Sequence, residues 1–258
     1  MRSLRQKISN SAMRTTRDDI MGMPITVELV GGTQSSIDAI FDYFYAVDIR
    51  FSTYKLDSEI MKINRGEIPE HAYSDEMKEV FALGEQTRKE TNGFFSMKKH
   101  DGTIDPAGIV KGWAIRNAAR RAETLGYTHY FIDAGGDIQS YGLDEEGKPW
   151  TIGIRNPFNE HEIVKVVRPD GQGVATSGTS IRGQHIYNPH TPGATIDDIV
   201  STTVIGPDIY EADRFATAAF AMGKDGILFL DQIPGFAGYQ IDAKGIATMT
   251  HTFEHMTV

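Results

Sequence analysis

DPAGIVKGWAIRNAARRAETLGYTHYFIDAGGDIQSYG, residues 105–142, is the stretch on which the reading of the fold turns. It opens with Asp105-Pro106, an acidic cap followed by a proline at the first helical position, where a missing N–H costs nothing. Val110, Ala114, Ala118, Ala122 and Leu125 then fall on one helical stripe. Gly126 stops the helix, a β-rich run follows from Tyr127 to Ile132, and Ala134-Gly135-Gly136-Asp137 turns the chain. Two features do not suit a purely structural helix. Gly108 and Gly112 each cost about 1 kcal/mol against alanine in a helix interior. Lys111 is expected in the first turn, where the positive end of the helix dipole repels a cation. Glycines that permit close approach, beside a lysine near a helix N-terminus, suit an anionic ligand. Helix–sheet packing at the glycines, with Lys111 solvated, suits the same pattern, and spacing leaves both readings open.

Upstream of this stretch, residues 1–20 are polar and basic, a flexible arm or a first strand, so residues 21–258 are expected to form one domain. Ile25, Val27 and Leu29 alternate like a strand with one buried face. Thr33 to Tyr54 has helical spacing at Ile37, Ile40, Phe41, Phe44 and Val47. A short helix capped by Asp57 or Ser58 follows, then another starting at Ser74 and running to about Thr91. Asn92-Gly93 is read as a turn into a strand at Phe94-Phe95-Ser96. Downstream, β-rich runs at Trp150–Ile154, Ile163–Val167 and Ser201–Ile205 are separated by polar turns, with Ala175 to Gly178 expected as a loop. Helices are expected at Glu211–Gly223 and Gly226–Ile233, and a terminal hairpin around Asp242 to Gly245. Hairpin-like strands flanked by helices indicate α+β, with mixed, largely antiparallel sheets and packed helices. The glycine turn follows a strand as GGD and does not open a helix as G-x-G-x-x-G, which argues against a Rossmann cofactor domain.

The chain has 258 residues, 40% hydrophobic and 24% charged, ordinary for a globular protein with a sizeable core. A net charge of −9 argues against nucleic acid as a partner. Absence of cysteine rules out disulfides, thiolate metal sites and lipid-attached cysteine. No apolar run reaches the roughly 18 residues of a membrane span, and the first twenty residues lack the apolar core of a signal peptide. The expectation is a cytoplasmic protein with no membrane anchor.

Three groups of residues could carry chemistry. Asp213 and Thr217 stand at i and i+4, on one helix face, and offer hard oxygen ligands that suit Mg²⁺ rather than zinc. A first-turn acid and a back-bonded helical threonine fit the same spacing. His185, in a turn-rich loop, has the ordinary pKa of a general base and the ordinary setting of a surface residue. Phe94-Phe95-Ser96 and Tyr54 could meet an aromatic ring system, although at least one of two adjacent phenylalanines belongs in a core.

Five segments, taken in order, resemble the FAD:protein FMN transferases of the ApbE type: MGMPITVEL from Met21, FSTYKLDSEIMKINRG from Phe51, DPAGIVKGWA with AGGDIQSYG, Ala175 to Gly193, and EADRFATAAFAMG from Glu211. The resemblance runs from Met21 to about Gly223. It implies the ApbE-like flavin transferase fold and Mg²⁺ held by Asp213, Thr217 and the backbone carbonyl of Gly108. It implies FAD contacts at Met21, Asp105, Lys111, Tyr187 and the Phe94-Phe95-Ser96 segment, and His185 as the group that activates an acceptor hydroxyl. Asp213, as a carboxylate expected to face the same reacting centre, is the alternative base. The implied activity is Mg²⁺-dependent transfer of FMN from FAD to a serine or threonine of a target flavoprotein, with release of AMP. Hydrolysis of FAD to FMN and AMP, or FAD binding without turnover, are the alternatives. The chain departs from the family pattern at Ser96, Arg116 and Asn188, carries Pro192 before Gly193, and has only about ten residues between Ser96 and the central helix.

Overall fold

Alternating burial of Ile25, Val27 and Leu29 against outward neighbours is what a strand with one face on a core requires. A computed structural model describes residues 11–179, 186–191 and 193–258. The chain starts with the hairpin β1 (Ala12–Ile20) and β2 (Met23–Val30). Four helices follow: α1 (Gln34–Phe51), α2 (Glu59–Asn64), α3 (Asp75–Glu90) and α4 (Ala107–Thr124). The strands β3 (Tyr130–Ala134), β4 (Asp137–Tyr141), β5 (Ile152–Asn156), β6 (Asn159–Val167), β7 (Gly173–Gly178) and β8 (Ile199–Gly206) come next. Helices α5 (Ile209–Ala221) and α6 (Gly226–Asp231) lead to the closing strands β9 (Ala237–Asp242) and β10 (Ala247–Met249). Eight strands form one sheet in the order β1-β2-β3-β4-β7-β8-β9-β10, and β5-β6 is a separate hairpin. Every named pairing among the described residues is antiparallel, so the class is α+β as expected, with antiparallel rather than mixed sheets.

Strand periodicity divides the interior into two layers. Ile132, Ala175 and Val204 point to the helices, where they join Trp113, Ala114 and Ala216 in the larger core. Ile138, Val174 and Ile205 point the other way, to Ile152, Ile154 and Val167 of the β5-β6 hairpin. Asp137 and Gln139, one residue either side of Ile138, therefore lie on the helical face. Gln139 uses this position to accept the N–H of Ile209, the first residue of α5, at 2.9 Å. An orphan donor at the helix start is satisfied by the sheet itself.

Several expectations need correction. Of the two readings of residues 1–20, arm or first strand, the strand holds for residues 12–20, which form the sheet edge paired along β2. Ala175 to Gly178 lies in β7, whose partner β8 supplies the ladder that small residues alone do not announce. Phe94-Phe95-Ser96 is not a strand. Asn92 (φ 50°) and Gly93 (φ 83°) turn the chain, and the Thr91 hydroxyl accepts the N–H of Phe95 at 3.2 Å, which fixes an irregular segment there. Pro106 is the N-cap of α4 rather than its first residue, while Asp105 Oδ1 accepts the Ala107 N–H at 3.1 Å. Lys111 is consequently the fifth residue of α4, beyond its first turn.

The two glycines of α4 serve close packing, Gly112 against α5 and Gly108 against Phe95. A Cβ on Gly112 would stand 2.8 Å from Asp213 Cβ and 2.9 Å from the Ile209 carbonyl oxygen. One on Gly108 would stand 2.9 Å from Phe95 Cε2 and 3.7 Å from Thr217 Cγ2. Neither expected reading, ligand approach or helix–sheet packing, names this role. Gly112 lets α4 and α5 close on each other, Gly108 makes room for Phe95, and together these contacts shape the site.

Candidate active site

Between the N-terminal half of α4, the 92–97 segment, β7 and the β5-β6 hairpin lies a cavity of about 1150 Å³. That exceeds the usual range for a drug-sized ligand, about 300–1,000 Å³, and leaves room for a dinucleotide. Met21, Tyr54, Phe94, Phe95, Ser96, Asp105, Gly108, Lys111, Tyr187, Asp213 and Thr217 all line it. These residues come from distant parts of the sequence and meet at one place. His185 lies outside the described residues.

The deepest part is a charged cluster. Asp213, on α5, is buried, and its Oδ2 accepts the Gly112 N–H at 2.9 Å. Asp137, at the start of β4, is buried as well; its Oδ1 accepts the Thr176 N–H at 2.9 Å and its Oδ2 pairs with Lys111 Nζ. The same ammonium is 3.4 Å from Asp213 Oδ1. Thr217 Oγ1, one turn along α5, is 3.5 Å from Ser177 Oγ of β7. Burial pushes the Asp213 carboxyl above the ordinary carboxylate range; Lys111 pulls it back and the neighbouring Asp137 pushes it further up.

This cluster fits a hard divalent cation. Asp213 and Thr217, with Gly108 beside them, provide oxygen donors of the kind Mg²⁺ prefers. Two buried carboxylates share one lysine, so with all three groups ionised the cluster carries one negative charge in excess. A buried excess charge is costly unless something neutralises it, and a cation does so. No group of three or more His, Cys, Asp or Glu side chains suited to a metal occurs among the described residues, so the donor set depends on hydroxyl and main-chain oxygens.

The rest of the wall is set by short-range contacts. Phe95 is buried under Gly108, while Phe94 faces the cavity with its ring 4.5 Å from that of His190. His190 Nε2 reaches the Asn92 carbonyl at 3.0 Å, and Tyr187 donates to the Lys98 carbonyl at 3.1 Å. The 186–191 segment is thus fastened to the 92–98 segment at two points. Ser96 bonds within its own turn, its hydroxyl donating to the Lys98 carbonyl and accepting the Lys98 N–H, each at 3.1 Å. Asp105 pairs with Lys99 at 2.7 Å. Tyr54 is almost fully exposed at the cavity rim. Arg116 takes no part: it lies 3.9 Å from Asp208 and stacks on Tyr210, away from the cavity.

Sequence reasoning missed Asp137, Ser177 and the β5-β6 wall, where Arg155 and Phe158 overhang the cavity. The local signal at Asp137 is an acid directly after the glycine turn, at the start of the run Asp137-Ile138-Gln139, and the same residues equally suit a plain turn. Nothing local marks Ser177, because its role arises from the pairing that brings β7 under α5.

Comparison with known proteins gives a consistent result. The model of the ApbE family matches residues 21–99 and 96–239. The FAD:protein FMN transferases of Klebsiella pneumoniae (strain 342) and Escherichia coli (strain K12) are each 30% identical over 151 residues, covering 55% of this chain and 43% of theirs. The chain thus spans less than half the length of these relatives. Among solved structures, the ApbE protein of Thermotoga maritima superposes with a TM-score of 0.83 at 21% identity, covering 96% of this chain and all of that one. The flavin transferase ApbE of Vibrio cholerae gives 0.82 at 19%, covering 95% of this chain and all of that one. At these identities the structures establish a shared fold.

Proposed function

The chain belongs to the ApbE family, and from that premise we propose that it transfers FMN from FAD to a serine or threonine hydroxyl of a target flavoprotein. The observation that carries this reading is the buried Asp213–Thr217–Lys111–Asp137 cluster at the base of a cavity large enough for a dinucleotide. Its support from relatives is the FMN transferase activity named for proteins about 30% identical over half of this chain.

In the proposed reaction the acceptor hydroxyl oxygen attacks the phosphorus on the FMN side of the pyrophosphate. A new P–O bond forms, the bond to the bridging oxygen breaks, and AMP departs with that oxygen. Asp213, Thr217 and the Gly108 carbonyl would hold Mg²⁺, which when bound supplies positive charge against the pyrophosphate. Phe94, facing the cavity, and Tyr54, at its rim, offer flat surfaces to the rings of FAD. Lys111 presents an ammonium to the same space, suited to a phosphate oxygen. The depth of Asp213 keeps water from competing for these charges, which strengthens each of them. His185 is assigned the proton of the acceptor hydroxyl on the strength of its sequence position, with Asp213 as the alternative acceptor.

The test is incubation with FAD, Mg²⁺ and a candidate flavoprotein, followed by mass measurement of that protein. A gain equal to the FMN moiety, abolished by EDTA and by Asp213→Ala, is the expected result. Free FMN plus AMP with no modified protein would replace transfer by hydrolysis. Unchanged FAD with several flavoprotein acceptors would leave only a binding role.

A further inference from the structure

Each carboxylate of the buried cluster has one oxygen fixed by a backbone N–H and the other turned to the same ammonium. Asp213 Oδ2 is held by Gly112 and Asp137 Oδ1 by Thr176, while Asp213 Oδ1 and Asp137 Oδ2 both face Lys111 Nζ. The carboxylates sit on rigid elements, α5 and β4. The lysine is the movable member, a point charge at the end of a flexible four-carbon stem. Its side chain is 19% exposed, against 2% for Asp137 and 3% for Asp213, so of the three it has the widest outlet to the cavity, which Asp213 also lines.

We propose that Lys111 is a built-in competitor for the cation site and that Asp137 is the positioning residue that holds it. The inference rests on the reading of Asp213 as a cation ligand. A cation approaching Asp213 from the cavity meets Oδ1, the oxygen that Lys111 occupies. It must displace an ammonium from a carboxylate in a water-poor setting, where charge–charge terms are several times those in water. Asp137 lowers the cost of that displacement. Lys111 moves off Asp213 and keeps its second carboxylate, so no buried charge is stranded. The ammonium so released from Asp213 stands at the cavity wall, where an anionic ligand can use it. Cation binding and anion binding are thereby linked through one side chain.

Charge balance predicts an order that a merely structural ion pair would not produce. With Asp137, Asp213 and Lys111 all ionised the cluster carries −1. Lys111→Met makes it −2, Asp137→Asn makes it 0, and the double variant returns it to −1. Magnesium affinity is measured by titration calorimetry without FAD. It should rise about tenfold or more in K111M, fall about tenfold or more in D137N, and return to within a few-fold of the parent in K111M/D137N, shifts of the size expected for one charge at close range. The asparagine of D137N keeps an oxygen for the Thr176 N–H, so this variant retains the local fold even if K111M needs metal to stay folded. In that case D137N and the double variant decide the matter. Unchanged Mg²⁺ affinity in K111M, failure of the second substitution to rescue D137N, or no Mg²⁺ binding by the parent protein would each overturn the proposal. The transfer assay judges the family reading separately: modified flavoprotein with unaltered Mg²⁺ affinity in K111M would sink the competitor and leave the transferase standing.

Discussion

Gly112 and Asp213 touch: a methyl group on the glycine would stand 2.8 Å from Asp213 Cβ, and the glycine N–H already donates to the Asp213 carboxylate at 2.9 Å. Packing and chemistry are coupled at this contact. Backbone polarity of α4 reaches the acid of α5 only because no side chain intervenes.

Gly112→Ala tests that coupling. Helix propensity alone would favour alanine by about 1 kcal/mol. The new methyl also meets the Ile209 carbonyl oxygen and Tyr210 Cα at 2.9 Å, backbone atoms that cannot swing aside. Overpacking of this kind costs about 1–3 kcal/mol, so the net expectation is a loss of stability. Urea unfolding should show a lower midpoint with an unchanged slope, together with weaker Mg²⁺ binding. A midpoint at or above that of the parent would mean the helices can separate without cost.

The adjacent phenylalanines should behave differently from each other. Phe95 is buried beneath Gly108, and Phe95→Ala should cost about 3–5 kcal/mol of stability. Phe94 faces the cavity, and Phe94→Ala should leave the unfolding midpoint within a small margin while weakening FAD binding. Unfolding curves and flavin fluorescence titrations of the two variants, compared side by side, check the division. Equal losses in both measurements would remove the basis for assigning Phe94 to the ligand.

His190 fastens the wall that carries Phe94. Its ring packs edge-on to Phe94 at 4.5 Å and its Nε2 meets the Asn92 carbonyl at 3.0 Å, so Nε2 carries the hydrogen in this contact. His190→Ala should lower stability by about 1 kcal/mol, the net worth of one hydrogen bond. It should also weaken FAD binding several-fold by unseating Phe94. His190→Gln, which can present an N–H to the same carbonyl, should recover much of the binding. FAD affinity that ignores both substitutions would show that the contact positions nothing.

Much of the site was legible because its spacing is local. Asp213 and Thr217 share a helix face at i and i+4, and no tertiary information is needed to put them together. The GGD turn and the acidic residue preceding Pro106 were equally visible. What sequence could not show depends on pairing between distant segments. Asp137 meets Lys111 only because β4 is central in the sheet and α4 crosses it; β7 is a strand only because β8 lies beside it. The β5-β6 hairpin reads as two short runs, yet it forms a separate layer whose Ile152 and Ile154 cover the sheet's second face. Propensity is a weak guide where burial on the far side of a sheet decides the outcome.

Asp133 gives the fold a pH dependence that can be separated from the metal cluster. It lines the cavity, and its Oδ1 accepts the Gly136 N–H at 2.7 Å in the turn between β3 and β4. Burial pushes its carboxyl above the ordinary range; the Gly136 N–H pulls it back and Asp137 adds to the rise. A raised pKa means that the folded chain binds more protons than the unfolded one at intermediate pH, so stability falls as pH rises. The contribution is fully present below the ordinary aspartate value of about 4 and is lost as pH climbs through the raised one. Asp133→Asn removes the titration and keeps an oxygen for Gly136. The difference in unfolding free energy between the variant and the parent, measured in EDTA, should therefore be constant in acid and grow in favour of the variant above that point. Groups common to both proteins cancel in the difference. Parallel stability curves from acid to neutral pH would show that Asp133 ionises in the fold as easily as in water, and that its burial carries no cost.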